Sequence, residues 1–141
     1  MNLFGSVPYA RARAGSAGVL VPLAEISCAL PRSALKATLA DGPRVASWGA
    51  RELEVVVVAE ALGLPKSGVD ERSVVLVHER GRAALGLLVD SVGAVLWVAP
   101  DERLPVPQAA QIAVASALVQ SGKELHWLLE PDRFWPRGAG T

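Results

Sequence analysis

The sequence predicts a mainly β protein, a closed or sandwiched set of short strands with one or two helical turns. Three observations carry this. Val55, Val56, Val57 and Val58 are consecutive, and β-branched side chains with restricted χ1 suit a pleated sheet buried on both faces. Turn signals rich in Gly, Pro, Asp and Ser recur about every 8–15 residues, the spacing of a barrel or sandwich. No strand-to-long-helix alternation of the kind that builds a parallel α/β sheet is present.

Met1 to Gly18 is poorly patterned and rich in Ala and Gly. Two readings of it stay open, a partly ordered leader and a short edge strand over Tyr9-Ala10-Arg11-Ala12-Arg13, whose residues alternate. Val19 to Leu23 is an apolar run whose Pro22 marks an edge or a strand end. Ile26, Cys28 and Leu30 then fall on one face at period two. Asp41-Gly42-Pro43 is a turn. Val45 to Trp48 and Leu53 to Val58 are strands. Ala59 to Leu62 is a single helical turn, stopped by Gly63-Leu64-Pro65. Ser73 to His78 and Ala83 to Val89 pair through a turn at Gly81. Val92 to Val98 is a further strand with Gly93 as a candidate bulge. Ala109 to Val119 is apolar and fits helix or strand. Ser121-Gly122-Lys123 turns into a closing strand, Leu125 to Leu129, and Pro131 to Trp135 makes a last helical turn. The expected organisation is a leader over residues 1–18, one domain over 19–135 and a frayed tail over 136–141.

Composition narrows function by exclusion. The 141 residues are 51% hydrophobic, too apolar for a disordered chain. Fourteen Lys and Arg balance fourteen Asp and Glu, so no surplus charge points to nucleic acid or an anionic membrane. The single cysteine, Cys28, has no internal partner, which fits a reducing compartment and, by default, the cytoplasm. No run of about 18 apolar residues predicts a membrane-inserted helix.

The common catalytic kits are absent from the sequence: no G-x-S-x-G, H-E-x-x-H, P-loop or C-x-x-C. His78 and His126 lie on strands away from any metal-like cluster and read as surface or rim residues. Cys28 sits in an alternating apolar strand and reads as a small core hydrophobe. The pairs Glu52/Glu54 and Asp101/Glu102 read as solvated surface. No metal, cofactor or catalytic residue is expected. Among the tryptophans, Trp97 and Trp127 read as core. Trp48, at a strand end beside Gly49, is an interface candidate, because tryptophan anchors binding surfaces. Trp135 packs down or faces a partner, and both readings stay open.

One stretch carries more. Leu85-Gly86-Leu87-Leu88-Val89-Asp90-Ser91-Val92 resembles the "G-hydrophobic-hydrophobic-V-D-x-V" element of the CheW family, with a strand (Ala94 to Val98) and a proline loop (Leu104 to Pro107) following in the family's order. Pro22-Leu23-Ala24-Glu25-Ile26 is similar to its early "P-L-x-x-V" strand. Leu62-Gly63-Leu64 resembles its "L-G-L", and Leu128-Leu129-Glu130-Pro131 its closing "L-L-D". The resemblance spans Tyr9 to Trp135 in unbroken order.

It implies two intertwined small β-barrels with an apolar groove between them. It also implies a non-catalytic adaptor that couples a chemoreceptor's cytoplasmic tip to a histidine kinase array. The partners implied are the receptor tip and either a kinase regulatory domain or another CheW-like adaptor.

The departures bear on partners. Counting back from Leu62, the arginine of the family's "N-L-R-G" falls on Gly49 and its glycine on Ala50. The proline and aspartate of "P-V-V-D-L-R" fall on Glu54 and Val57, and an acidic position of the early strand falls on Cys28. A guanidinium makes directional contacts that glycine cannot replace, so reduced kinase binding is expected. The expected contact residues are Val45, Trp48 and Arg51 near the altered motif, and Leu87, Val89 and Val92 near the matched one. For the last three, core packing is the competing reading. The alternative function is a small β-barrel holding an apolar small molecule, which requires a closed cavity.

Overall fold

A computed structural model describes residues 5–36, 44–65, 69–108 and 112–135. Among these residues, twelve strands make two six-stranded sheets. Sheet A contains β1 (Val7–Ala14), β2 (Ala17–Pro22), β9 (Ser91–Val98), β10 (Arg103–Leu104), β11 (Ala115–Ser121) and β12 (Glu124–Leu129), in the order β10-β11-β12-β2-β1-β9. Sheet B contains β3 (Cys28–Pro31), β4 (Leu35–Lys36), β5 (Val45–Trp48), β6 (Arg51–Val57), β7 (Val74–Arg80) and β8 (Ala83–Val89), in the order β3-β7-β8-β6-β5-β4. The chain starts in sheet A, builds all of sheet B, and returns to finish sheet A. That interleaving is the mainly β, two-unit architecture expected. Pairing is antiparallel except for one parallel step in each sheet, β12 with β2 and β6 with β8.

Apolar burial is divided three ways. A small cluster of Tyr9, Leu20, Val98, Ala117, Val119 and Leu128 belongs to sheet A. Another, of Ala46, Val55, Val75 and Leu88, belongs to sheet B. The largest is shared by both sheets and includes Ala12, Ala14, Val19, Val21, Leu85, Leu87, Val89 and Leu129. The short helix α1 (Val58–Ala61) closes it with Val58 and Ala59 and stops at Gly63, whose φ of +73° only glycine adopts freely. The space expected to be an apolar groove between two barrels is thus packed core where residues are described.

The leader reading is corrected. Residues 7–14 form β1, which lies between β2 and β9 and is not an edge. Its Ala10, Ala12 and Ala14 are buried. The small side chains that made the segment look unpatterned let its backbone pack closely on the shared core. The turn at Asp41-Gly42-Pro43, the tail over 136–141 and the start of the ambiguous 109–119 segment lie outside the described residues. From Ala115 that segment is a strand. The bulge at Gly93 is present: Ala10 pairs with Val95 but Ala12 with Val92, so β9 carries one extra residue there.

The G-L-L-V-D stretch is structural. β8 is flanked by β6 and β7, and its residues from Leu85 to Val89 are buried on both faces. Leu85, Leu87 and Val89 enter the shared core, and Leu88 enters the sheet B cluster. At Gly86 a Cβ would stand 2.7 Å from Cγ1 of Val75 and 3.2 Å from Cγ2 of Val55, so only hydrogen fits. The Asp90 carboxylate accepts a hydrogen bond from the Gly15 N–H at 2.9 Å, and the Asp90 N–H donates to the Arg13 carbonyl at 2.7 Å. Asp90 therefore ties the sheet B exit to the β1–β2 turn.

Candidate functional site

Two surfaces and one polar cluster gather the residues singled out in the sequence. The first surface is the end of the β5–β6 hairpin. Trp48 pairs with Arg51 across a two-residue turn at Gly49-Ala50, where Gly49 takes φ of +60°. The Arg51 guanidinium lies 5.2 Å from the centre of the Trp48 ring, a cation–π contact. Its Nη2 also donates to the Arg82 carbonyl at 2.9 Å, and Glu79 lies 4.0 Å away. This pins the hairpin end to the β7–β8 turn and leaves Arg51 exposed and Trp48 half-buried. Val45 begins the same strand, half-buried between Lys36 and Glu54. The structure thus joins Trp48 and Arg51 and sets Val45 at the far end of β5.

The second surface is the open edge of sheet A. Among the described residues, β9 has β1 on one side and no strand on the other. Its partners Ala12, Ala10 and Pro8 alternate at period two on β1, so Val92, Val95 and Trp97 share a face despite their uneven spacing. The bulge at Gly93 brings this about. The three are 40%, 48% and 50% exposed, an apolar stripe beside unpaired backbone groups. Val92, an expected contact residue, is exposed here. Leu87 and Val89 are buried: they are 1% and 0% exposed and pack into the shared core, out of a partner's reach. Trp97 corrects the core reading in the opposite direction, while Trp127 does pack against the shared core. Val95 and Trp97 were missed because an apolar run reads as a two-sided strand, and no residue in it signals an open edge.

The polar cluster surrounds His78, which is buried rather than at the rim. The Trp135 Nε1–H donates to His78 Nδ1 at 2.8 Å, and Nε2 faces Glu25 at 3.9 Å and Asp132 at 3.8 Å. A neutral imidazole accepting at Nδ1 carries its proton on Nε2. The nitrogen that faces the two carboxylates is therefore not a free metal-ligand lone pair, although the three groups lie close enough to hold an ion. Burial lowers the His78 pKa, with Asp132 opposing and Arg80 assisting. Burial and the nearby Asp132 and Glu130 carboxylates raise that of Glu25. Arg80 stacks over Trp135 at 5.1 Å and bonds Asp132 at 3.2 Å. The cluster fastens the last 3₁₀ turn, Pro131–Phe134, to sheet B.

Cys28 is half-buried on edge strand β3, not in the core. Burial, then Glu79, raises its pKa, which keeps the thiol protonated and a weak nucleophile. Glu52 pairs with Lys36, and Glu102 accepts from the Ala99 N–H at 2.8 Å to cap a turn. The described clefts, one lined by Arg11, Arg13 and His126 and one by Ile112, Ala115 and Arg133, both open to solvent. Among the described residues no helix is long and apolar enough to cross a membrane.

Two interleaved sheets around a shared core, with an apolar edge, define a β-rich two-sheet domain. The chain belongs to the CheW-like domain family, whose model matches residues 9–135. In architecture it is similar to the scaffolding protein TtCheW from Thermoanaerobacter tengcongensis, with a TM-score of 0.78 at 13% identity, over 94% of this chain and 90% of that one. No curated protein is similar enough in sequence to match.

Proposed function

We propose that this chain is a non-catalytic adaptor of a chemotaxis array, working in the cytoplasm and linking a chemoreceptor tip to a histidine kinase. The observation that carries the reading is the family match over nearly the whole chain. The exposed stripe Val92, Val95 and Trp97 supports it, because the apolar face of a receptor helix needs such a strip to cover. The hairpin end at Trp48 and Arg51, with Val45 behind it, is the contact for a second protein, a kinase regulatory domain or another adaptor. The arginine expected at that turn is Gly49, whose site has open space around it and no side chain to offer. Kinase recruitment is therefore weak, and a second adaptor completes the link.

The test is a pull-down with a chemoreceptor cytoplasmic tip and a kinase regulatory domain offered separately and together. Receptor-tip co-elution with little kinase is expected. No co-elution with the tip at tens of micromolar, where a micromolar complex would be populated, overturns the adaptor reading. A tight complex with the kinase alone overturns the reduced-recruitment part.

A further inference from the structure

Along β1, Tyr9, Arg11 and Arg13 share the face that carries the sheet A cluster, while Ala10, Ala12 and Ala14 take the other. Along β12, Leu128, His126 and Glu124 share that same inner face. Packing residues therefore occupy one end of the face, and Arg11, Arg13, His126 and Glu124 occupy the other. There they line, with Ala12, Ser91, Val92 and Gly93, an open cleft of about 250 Å³.

Three features separate this cleft from ordinary solvated surface. His126 is 1% exposed, yet its Nδ1 has no hydrogen-bond partner. A buried polar atom left so costs about 1–3 kcal/mol. The ring is also held in place: a Cβ at Gly18 would meet its Cδ2 at 2.7 Å, so the glycine makes room for it. Arg13 is paired with Glu124, but Arg11 forms no hydrogen bond or ion pair among the described residues. Two arginines against one glutamate leave the cleft with one surplus positive charge. Burial lowers the His126 pKa and favours the neutral ring, with Glu124 opposing, Arg11 and Arg13 assisting and the Val119 backbone opposing.

We propose that this cleft binds a small oxyanion, a phosphate or a carboxylate, held by the free fork of Arg11 with His126 as a second polar partner. A guanidinium fork matches both anions bidentately, and the volume exceeds that of either. The site does not rest on the adaptor reading: Val92 of the stripe lies at its rim, but the anion is held by Arg11 and His126, and none of Val95, Trp97, Trp48 or Arg51 lines it.

The test is an NMR titration of the whole chain with inorganic phosphate and, separately, acetate, each against sodium chloride of matched ionic strength. The His126 ring and the Gly18 amide are the reporters. A saturable shift with a Kd on the order of millimolar is expected for at least one anion, and the anion that saturates gives the class. Arg11→Gln weakens binding about tenfold or more. Arg11→Lys retains part of it, and serves if Arg11→Gln fails to fold. Glu124→Gln, which removes the competing carboxylate, tightens it, whereas Arg72→Gln on a distant turn leaves it unchanged. A purely structural role for these groups would not move affinity in opposite directions. Shifts no larger than those in sodium chloride, or equal affinity in Arg11→Gln, overturn the proposal and leave a water-filled cleft.

Discussion

Adding one methyl group at Gly86 probes the account of the fold at its most crowded point. The new Cβ would lie 2.7 Å from Val75 Cγ1 and 3.2 Å from Val55 Cγ2. Carbon atoms settle at about 3.5–4.0 Å, so Val75 must retreat by roughly 1 Å. It cannot do so cheaply: Val75 is fully buried in β7, opposite Leu88, and valine has few χ1 alternatives. Overpacking of this kind costs about 1–3 kcal/mol. Replacing glycine within a strand returns about 0.5–1 kcal/mol of backbone entropy. The expected net loss for Gly86→Ala is about 1–2 kcal/mol. With a urea m-value of about 2 kcal/mol/M, the middle of the usual range, the unfolding midpoint falls by roughly 0.5–1 M with m unchanged. Val75→Ala supplies the internal check. Alone it opens a cavity and destabilises, but with Gly86→Ala the added methyl fills part of that space, so the two costs sum to less than their separate values by at least about 0.5 kcal/mol. A Gly86→Ala protein as stable as the parent, or strict additivity with Val75→Ala, refutes the steric reasoning.

Other perturbations follow the same logic. Leu87→Ala costs about 2–5 kcal/mol in urea unfolding, as a core truncation does, whereas Val92→Lys on the open edge stays within about 0.5 kcal/mol. Asp90→Ala removes the acceptor for the Gly15 N–H and costs about 1–3 kcal/mol. Stability falls with acid below about pH 6.5, the ordinary histidine value. His78 and His126 have lowered pKa values when folded, so the unfolded chain takes up their protons first. The contribution is complete above the unfolded value and is lost as pH drops through the folded one. Protonated His78 also loses the bond from Trp135. His78→Gln flattens that part of a pH series of melting temperatures.

Much of the strand order was legible because turn chemistry is local. Gly63, Gly81 and Gly122 have positive φ where breaks were read, and Val45–Trp48 is a strand with the bounds read from it. The resemblance placed the motif but not its role. Leu87 and Val89 were offered as contacts because a strand's sequence does not say whether it is central. β8 became central through a parallel pairing with β6, between residues about 30 apart in the chain. The same blindness put Trp97 inside: only the sheet order shows that β9 ends sheet A. His78 and His126 were misread as rim residues because their partners, Trp135 and Gly18, are remote in sequence. β1 was underrated because burial through alanine leaves little apolar signal.

The central claim is that this family member presents the β9 stripe to a chemoreceptor. It is tested most directly by titrating a receptor cytoplasmic tip into the wild-type chain and into Val95→Asp, with folding of both confirmed by urea unfolding. Saturable binding to the wild type, weakened at least about tenfold in Val95→Asp by a carboxylate buried in the apolar contact, is the expected result. Equal binding by the two proteins, or none by either, contradicts it.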